Sequence, residues 1–333
     1  MDKNYLGHPT QLYGVEEHRL IGGKGDGMRL LEVRNGRGLA FTVSADRNAD
    51  LSRLSFKGGN YGYFAPCGYV GPAYYDGVGD GFLKSFTAGF LTTSGLNNVG
   101  ASCTDGAEEL PLHGTIANTP VEHICWWISD DEIIIRSETN DGRLFAHKLR
   151  LERTYRCSLR ENSLVLQDKI INEGDSACPA ELLYHINIGY PLLCEESELF
   201  IPSQHVLPRD ERAAEGIGTW DQMLPPTAGF EEQCYFHHFE QEGIAAIYSP
   251  ILGTGLAIRF DAKNLPFFTQ WKMMGRRDYV LGLEPGNAHP VGRAKLRENG
   301  LLTVLSPGEE AEYAVKFEML ESQEAFRALK RRL

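Results

Sequence analysis

Glu132-Ile133-Ile134-Ile135-Arg136 and His147-Lys148-Leu149-Arg150-Leu151-Glu152-Arg153 carry a period-two pattern of apolar and polar side chains. In an extended chain that period puts successive side chains on opposite faces, one wet and one buried. Reading outward, the same signal recurs in short runs rich in β-branched and aromatic residues. These runs are Leu30–Val33, Leu39–Val43, Val121–Ile128, Glu132–Glu138, Leu144–Tyr155 and Ser163–Asn172. They continue through Ala180–Tyr190, Ile244–Ser249, Gly255–Asp261, Phe267–Trp271, Tyr279–Glu284 and Ala311–Met319. Turn signals separate them, among them Asn35-Gly36, Ser129-Asp130-Asp131, Asn140-Asp141-Gly142, Asn172-Glu173-Gly174-Asp175 and Pro307-Gly308-Glu309.

Helical signals are few, the best being Ser322–Leu333 with apolar Phe326 and Leu329 and a basic end that suits the helix macrodipole. Strands in this excess predict an all-β fold, a large antiparallel two-sheet β-sandwich with few short helices. No low-complexity linker divides the 333 residues, so residues 1–333 read as a single domain. Gly58–Gly106, rich in Gly, Tyr and Phe, shows little alternation and reads as a long loop. Its aromatic side chains either offer a stacking surface or only pack the loop onto the sandwich.

A formal charge of −12 leaves no basic footprint beyond Lys330-Arg331-Arg332, which argues against a nucleic-acid partner. No run approaches the apolar length of a membrane span, and Met1-Asp2-Lys3-Asn4-Tyr5 lacks the apolar core of a signal peptide. The seven cysteines form no Cys-x-x-Cys pair and read as reduced, mostly buried thiols in a cytoplasmic protein. Its expected partner is a small neutral molecule, with assembly as a homodimer left open.

Three segments set an ionisable residue among Gly, Pro and Asn at a strand edge: Leu110-Pro111-Leu112-His113-Gly114, Tyr184-His185-Ile186-Asn187-Ile188-Gly189 and Leu281-Gly282-Leu283-Glu284-Pro285-Gly286-Asn287. His185, Asn187 and Gly189 share one strand face, with Tyr184, Ile186 and Ile188 on the other. Imidazole and carboxamide on one face either hydrogen-bond each other or line a cavity. Glu284 ends an apolar run, and Pro285 after it is expected to break the ladder. The carboxylate is then either exposed at the rim or half-buried with a raised pKa.

In order and spacing these motifs resemble the galactose mutarotase-like superfamily, closest to divergent bacterial aldose 1-epimerase family proteins of unassigned substrate. The resemblance runs from about His113 to Gly308. It implies a mutarotase-like supersandwich that binds a sugar and interconverts its anomers without metal or cofactor. By the same resemblance, His185 is the general acid at the ring oxygen and Glu284 the base at the anomeric hydroxyl. His113 is implied to bind near the ring oxygen. Histidine titrates near neutrality and is expected to be supplied protonated at modest cost. Candidate sugar-binding residues are Arg47, Lys84, Asn97, Asn98, Asn187, Trp271 and Arg276, with no clean match to the family's Asn-Arg pair. Two other readings stay open. One is a metal-dependent sugar isomerase or lyase using His113, His185 and Glu284, with His237 or His289 as further ligands. The other is a non-catalytic carbohydrate-binding module.

Overall fold

Alternation along the central strands turns every second side chain inward, and two layers of antiparallel strands close over those side chains. The computed structural model describes residues 3–332. One layer is an eight-stranded sheet. Its order is His123–Ile128, Glu132–Gly142, Lys148–Ser158, Ser163–Asn172, Glu310–Leu320, Thr254–Asp261, Glu242–Ser249 and Glu198–Phe200. The opposing layer contains a six-stranded sheet of His205–Pro208, Gln233–His238, Phe267–Met274, Tyr279–Gly286, Glu181–Ile188 and Leu91–Leu96. Beside it lies a five-stranded sheet built from Tyr13–Arg19, Arg29–Asn35, Leu39–Ser44, Asp50–Phe56 and Gly59–Asn60.

All three sheets feed one core. Leu151, Leu166 and Val315 come from the eight-stranded sheet, Ile186, Leu281 and Leu283 from the six-stranded, and Val33 and Val43 from the five-stranded. Burying each such side chain contributes about 1.5–3 kcal/mol. Aromatic pairs bridge the layers, with Phe90 against Phe317 at 5.2 Å and Phe260 stacked on Phe268 at 5.5 Å. Among the described residues, no helix is long and apolar enough to cross a membrane.

Several local readings change. The strand Glu132–Gly142 runs through Asn140-Asp141-Gly142, so the chain reverses later, at Arg143–His147, with Phe145 at φ 62°. Leu144 and Phe145 are exposed there, so the strand expected from Leu144 begins instead at Lys148. The polar triplet gave a turn signal, yet Asp141 is held inside by Leu96 and Thr115. Within Gly58–Gly106, Leu91–Leu96 forms an edge strand of the six-stranded sheet. It is buried along its whole length, which removes the alternation that marks a strand. Of the seven cysteines, four are buried, Cys67 and Cys103 are half-buried, and Cys125 is exposed. The terminal helix spans Gln323–Arg332; Leu333, included in the expected helix, lies outside the described residues.

The inward face also carries a charge. Arg153 is 1% exposed and donates to Asp50 at 2.6 Å, to Asp168 at 2.7 Å and to Thr93 at 2.7 Å. Tyr184 donates to the same Asp168 at 3.0 Å. A guanidinium survives here because its donors meet two carboxylates and a hydroxyl. The network lies behind the strand that carries His185 and fixes its inward-facing neighbour.

Candidate active site

The outward face of the six-stranded sheet collects the polar residues that alternation denies to the core. On Glu181–Ile188, Tyr184, Ile186 and Ile188 point into the core, which leaves His185 and Asn187 on the outer face. The neighbouring strand Tyr279–Gly286 pairs with it at Leu183–Gly286 and again at Asn187–Gly282, skipping the pairs between. Pro285 has no N–H to donate at the gap. Its other edge remains paired, Phe268 facing Pro285 and Thr269 facing Glu284, so the ladder is interrupted on one side only.

Across this gap His185 Nδ1 lies 3.3 Å from Glu284 Oε1. The separation is that of an ion pair, but the atoms are not aligned as a hydrogen bond, and neither has another partner. Glu284 is 2% exposed and His185 5%, so the carboxylate is fully buried rather than at a rim or half-buried. Gly282 makes the geometry achievable, because a Cβ there would sit 2.1 Å from Glu284 Oε1 and 2.9 Å from Trp271 Cβ. The carboxylate lies in the space that a side chain would fill.

His113 joins the pair from a different segment. Its ring lies 5.4 Å from His185, edge to face, and 5.2 Å from Phe82. The backbone at His113 has φ 58°, and Gly114 follows at φ 69°, a position only glycine fits because a Cβ there would meet Gly95 O at 2.2 Å. A non-glycine residue held in the left-handed region costs about 1–2 kcal/mol and places His113 over the site. Trp271 and Phe86 pack their rings against His185 at 5.3 and 5.1 Å. The aromatic cover supplied by residues 58–106 thus both packs onto the sheet and touches the pair.

Electrostatics push the pair toward its neutral forms. Burial raises Glu284 well above the ordinary carboxylate range, helped by the negative charge of Glu232 and opposed by Arg209. Burial lowers His185 far below 6.5, and His113 beside it adds to the effect. The expectation of a cheaply protonated His185 is therefore corrected: water that would solvate an imidazolium is excluded here. His113 is lowered to about 4 for the same reason.

Sequence reasoning missed Glu232 and Arg209. Glu232 accepts from Trp271 Nε1 at 2.7 Å and from Arg209 at 2.8 Å, tying the indole to the sheet edge. The pair Glu231-Glu232 looks like an ordinary solvated charge run, so no local signal marked it. The expected binding residues divide sharply. Asn187 is in the site, its amide donating to His185 O at 2.8 Å and its Oδ1 without a partner, and Trp271 is in the site as described. Arg47 is not brought to the pair: its guanidinium donates to the carbonyls of Ala117, Val70 and Ser85 and pins the cover segment. Lys84 is exposed and paired with Asp76 at 2.6 Å. Asn98 donates to Ala101 O and Pro111 O and accepts from Arg293 N, while Asn97 borders a separate cavity of about 190 Å³ beside Arg293. Arg276 lies in the exposed hairpin turn after Phe267–Met274.

Among the described residues, no group of three or more His, Cys, Asp or Glu side chains is disposed to hold a metal ion. His237 points to the opposite face, bonded to Ser203 and Gln270, and His289 packs between Phe236 and Phe267. A basin of about 1000 Å³ on the eight-stranded sheet, lined in part by Arg136, Gln167 and Glu312, lies away from the pair.

Two predictions arise here. Gly282→Ala forces the Glu284 carboxylate aside and also crowds Trp271 Cβ, 2.9 Å from the added carbon, so the strand pair must shift slightly. Activity then falls on the order of ten- to a hundredfold, accompanied by some loss of stability. Full activity in that variant contradicts the placement of Glu284. The second concerns pH. His113, His237 and His289 are each depressed from 6.5 to about 4 by burial. Between those values the unfolded chain binds protons that the native state refuses, so these groups make stability fall as pH drops from 6.5 toward 4. His237→Gln, outside the site, removes about one proton from that dependence, read as the slope of unfolding free energy against pH. An unchanged slope contradicts it.

The architecture defines the class, a galactose mutarotase-like β-sandwich. It matches a Klebsiella pneumoniae protein provisionally described as an aldose 1-epimerase, with TM-score 0.90 and 26% identity over 96% of this chain and 86% of that one. A galactose mutarotase-like protein of Clostridium acetobutylicum matches with TM-score 0.67 at 13% identity, covering 93% of this chain and 99% of that one. The galactose 1-epimerase of Lactobacillus acidophilus matches with TM-score 0.63 at 14% identity, covering 93% and 100%. No curated protein matches the chain. Within the class, the chain belongs to the family described as Domain of unknown function (DUF4432), whose profile matches residues 25–319.

Proposed function

We propose that the chain is an aldose 1-epimerase-like isomerase that interconverts the anomers of a free sugar, with His185 and Glu284 exchanging the two protons. The observation that carries this reading is a convergence of buried polar atoms without partners. His113 Nδ1, His185 Nδ1, Asn187 Oδ1 and Glu284 Oε1 come from three segments of the chain and gather around one sheet face. Leaving such atoms unpaired costs about 1–3 kcal/mol each, a cost that sugar hydroxyls would relieve.

Ring opening takes a proton from the anomeric hydroxyl and places one on the ring oxygen. In the assigned roles, Glu284 carboxylate takes the first and His185 imidazolium gives the second. The step ends with imidazole and carboxylic acid, the two neutral forms that burial favours. Before the step the pair holds the same number of protons, one shifted from oxygen to nitrogen, so no proton need enter from solvent. His113 sits where it can hydrogen-bond the ring oxygen or the aldehyde. After rotation about C1–C2 the two transfers run backward and close the ring on the other face.

This reading takes residues 1–333 as one folding unit acting in the cytoplasm on a small sugar. It is tested by two-dimensional NMR exchange between anomers across a panel of aldoses, including uronic and deoxy sugars. At least one is expected to interconvert well above the buffer rate. If none does, the isomerase reading is wrong.

A further inference from the structure

The outer sheet face does not end at the pair. Across the strands, Glu284 faces Thr269 and Thr269 faces Phe236. Beyond them His289 packs between two rings, 4.1 Å from Phe236 and 4.3 Å from Phe267. Phe236 and Phe267 are only partly buried. Two buried polar atoms in this part of the face lack partners, Thr269 Oγ1 and His289 Nδ1. Trp271 and Phe267 lie four residues apart on one strand face, about 13 Å at the usual rise. One pyranose ring does not fill that length.

We infer that the site takes the reducing end of a disaccharide, with the second ring seated on Phe236, Phe267 and His289. The apolar C–H face of a pyranose buries against aromatic rings while its hydroxyls stay free at the edge. A hydroxyl of that second ring would then satisfy Thr269 Oγ1 or His289 Nδ1. Burial keeps His289 neutral at working pH, so its free nitrogen meets a hydroxyl rather than an anion.

The inference rests on the reading of His185 and Glu284 as the anomer-handling pair, and its test separates the two. Binding of aldohexoses and of α- and β-linked reducing disaccharides is measured by calorimetry, alongside anomer exchange by NMR. At least one disaccharide is expected to bind tenfold or more tightly than its monosaccharide. Phe236→Ala should remove that margin, and His289→Gln, which keeps a side chain of similar reach, should reduce it severalfold. Equal affinity for one ring and two overturns the disaccharide site, as does a margin that both variants leave intact. Disaccharide binding without exchange leaves the second-ring site standing and overturns only the isomerase reading.

Discussion

His185→Ala is expected to lower the proposed anomer exchange by a hundredfold or more and to leave the fold in place. One positioned acid–base group is worth about 10²–10⁴ in rate. The side chain lies on the outer face, while Tyr184 and Ile186 on either side hold the strand in the core, so its loss costs catalysis rather than architecture. Glu284→Gln is expected to fall by a similar factor, since an amide keeps the shape but cannot take the anomeric proton. The informative variant is the double replacement. Two groups that pass one proton set between them act as a unit, so the double variant loses little more than either single one. Losses that multiply across the two positions contradict a shared proton. Melting temperatures near that of the parent separate both results from misfolding.

Arg153→Met destabilises the protein by about 3–5 kcal/mol, the cost of removing one partner from a buried ion cluster. Asp50 and Asp168 are both within 2.7 Å of the guanidinium and have little water to turn to. Methionine fills much of the volume, so the loss is charge compensation rather than a cavity. Adding Asp50→Asn and Asp168→Asn to the same chain removes the stranded charges and recovers most of the lost stability. Denaturant unfolding of the single and triple variants measures both steps. A single variant as stable as the parent means that the cluster is not holding the two layers together. Because Tyr184 hangs on Asp168, the single variant also loosens the strand that carries His185.

The meander Glu132–Asn172 was readable because its strands alternate, and each strand there is wet on one side. Alternation fails where both faces are covered, which hid Leu91–Leu96. It also misleads where a polar residue goes inward, as Arg153 does at a position the pattern marks only as periodic. His113, His185 and Glu284 stood out because each interrupts an apolar run beside Gly, Pro or Asn. Sequence could not show how Arg47 uses its donors. A guanidinium that binds a sugar and one that ties three loop carbonyls look alike in Ala45-Asp46-Arg47-Asn48. Gly282 was available as a signal, two residues before Glu284 and therefore on its face. Glu232 and Arg209 act through Trp271 and through charge, and nothing local distinguishes them from surface ions.

The central claim is that His185 and Glu284 exchange protons with a sugar on the outer face of the six-stranded sheet. Anomer exchange by NMR, run on the parent chain and on Glu284→Gln with the best sugar of the panel, tests it most directly. Exchange well above buffer is expected in the parent, and a loss of a hundredfold or more in the variant, with sugar still bound. Exchange that survives in Glu284→Gln at the parent rate contradicts it.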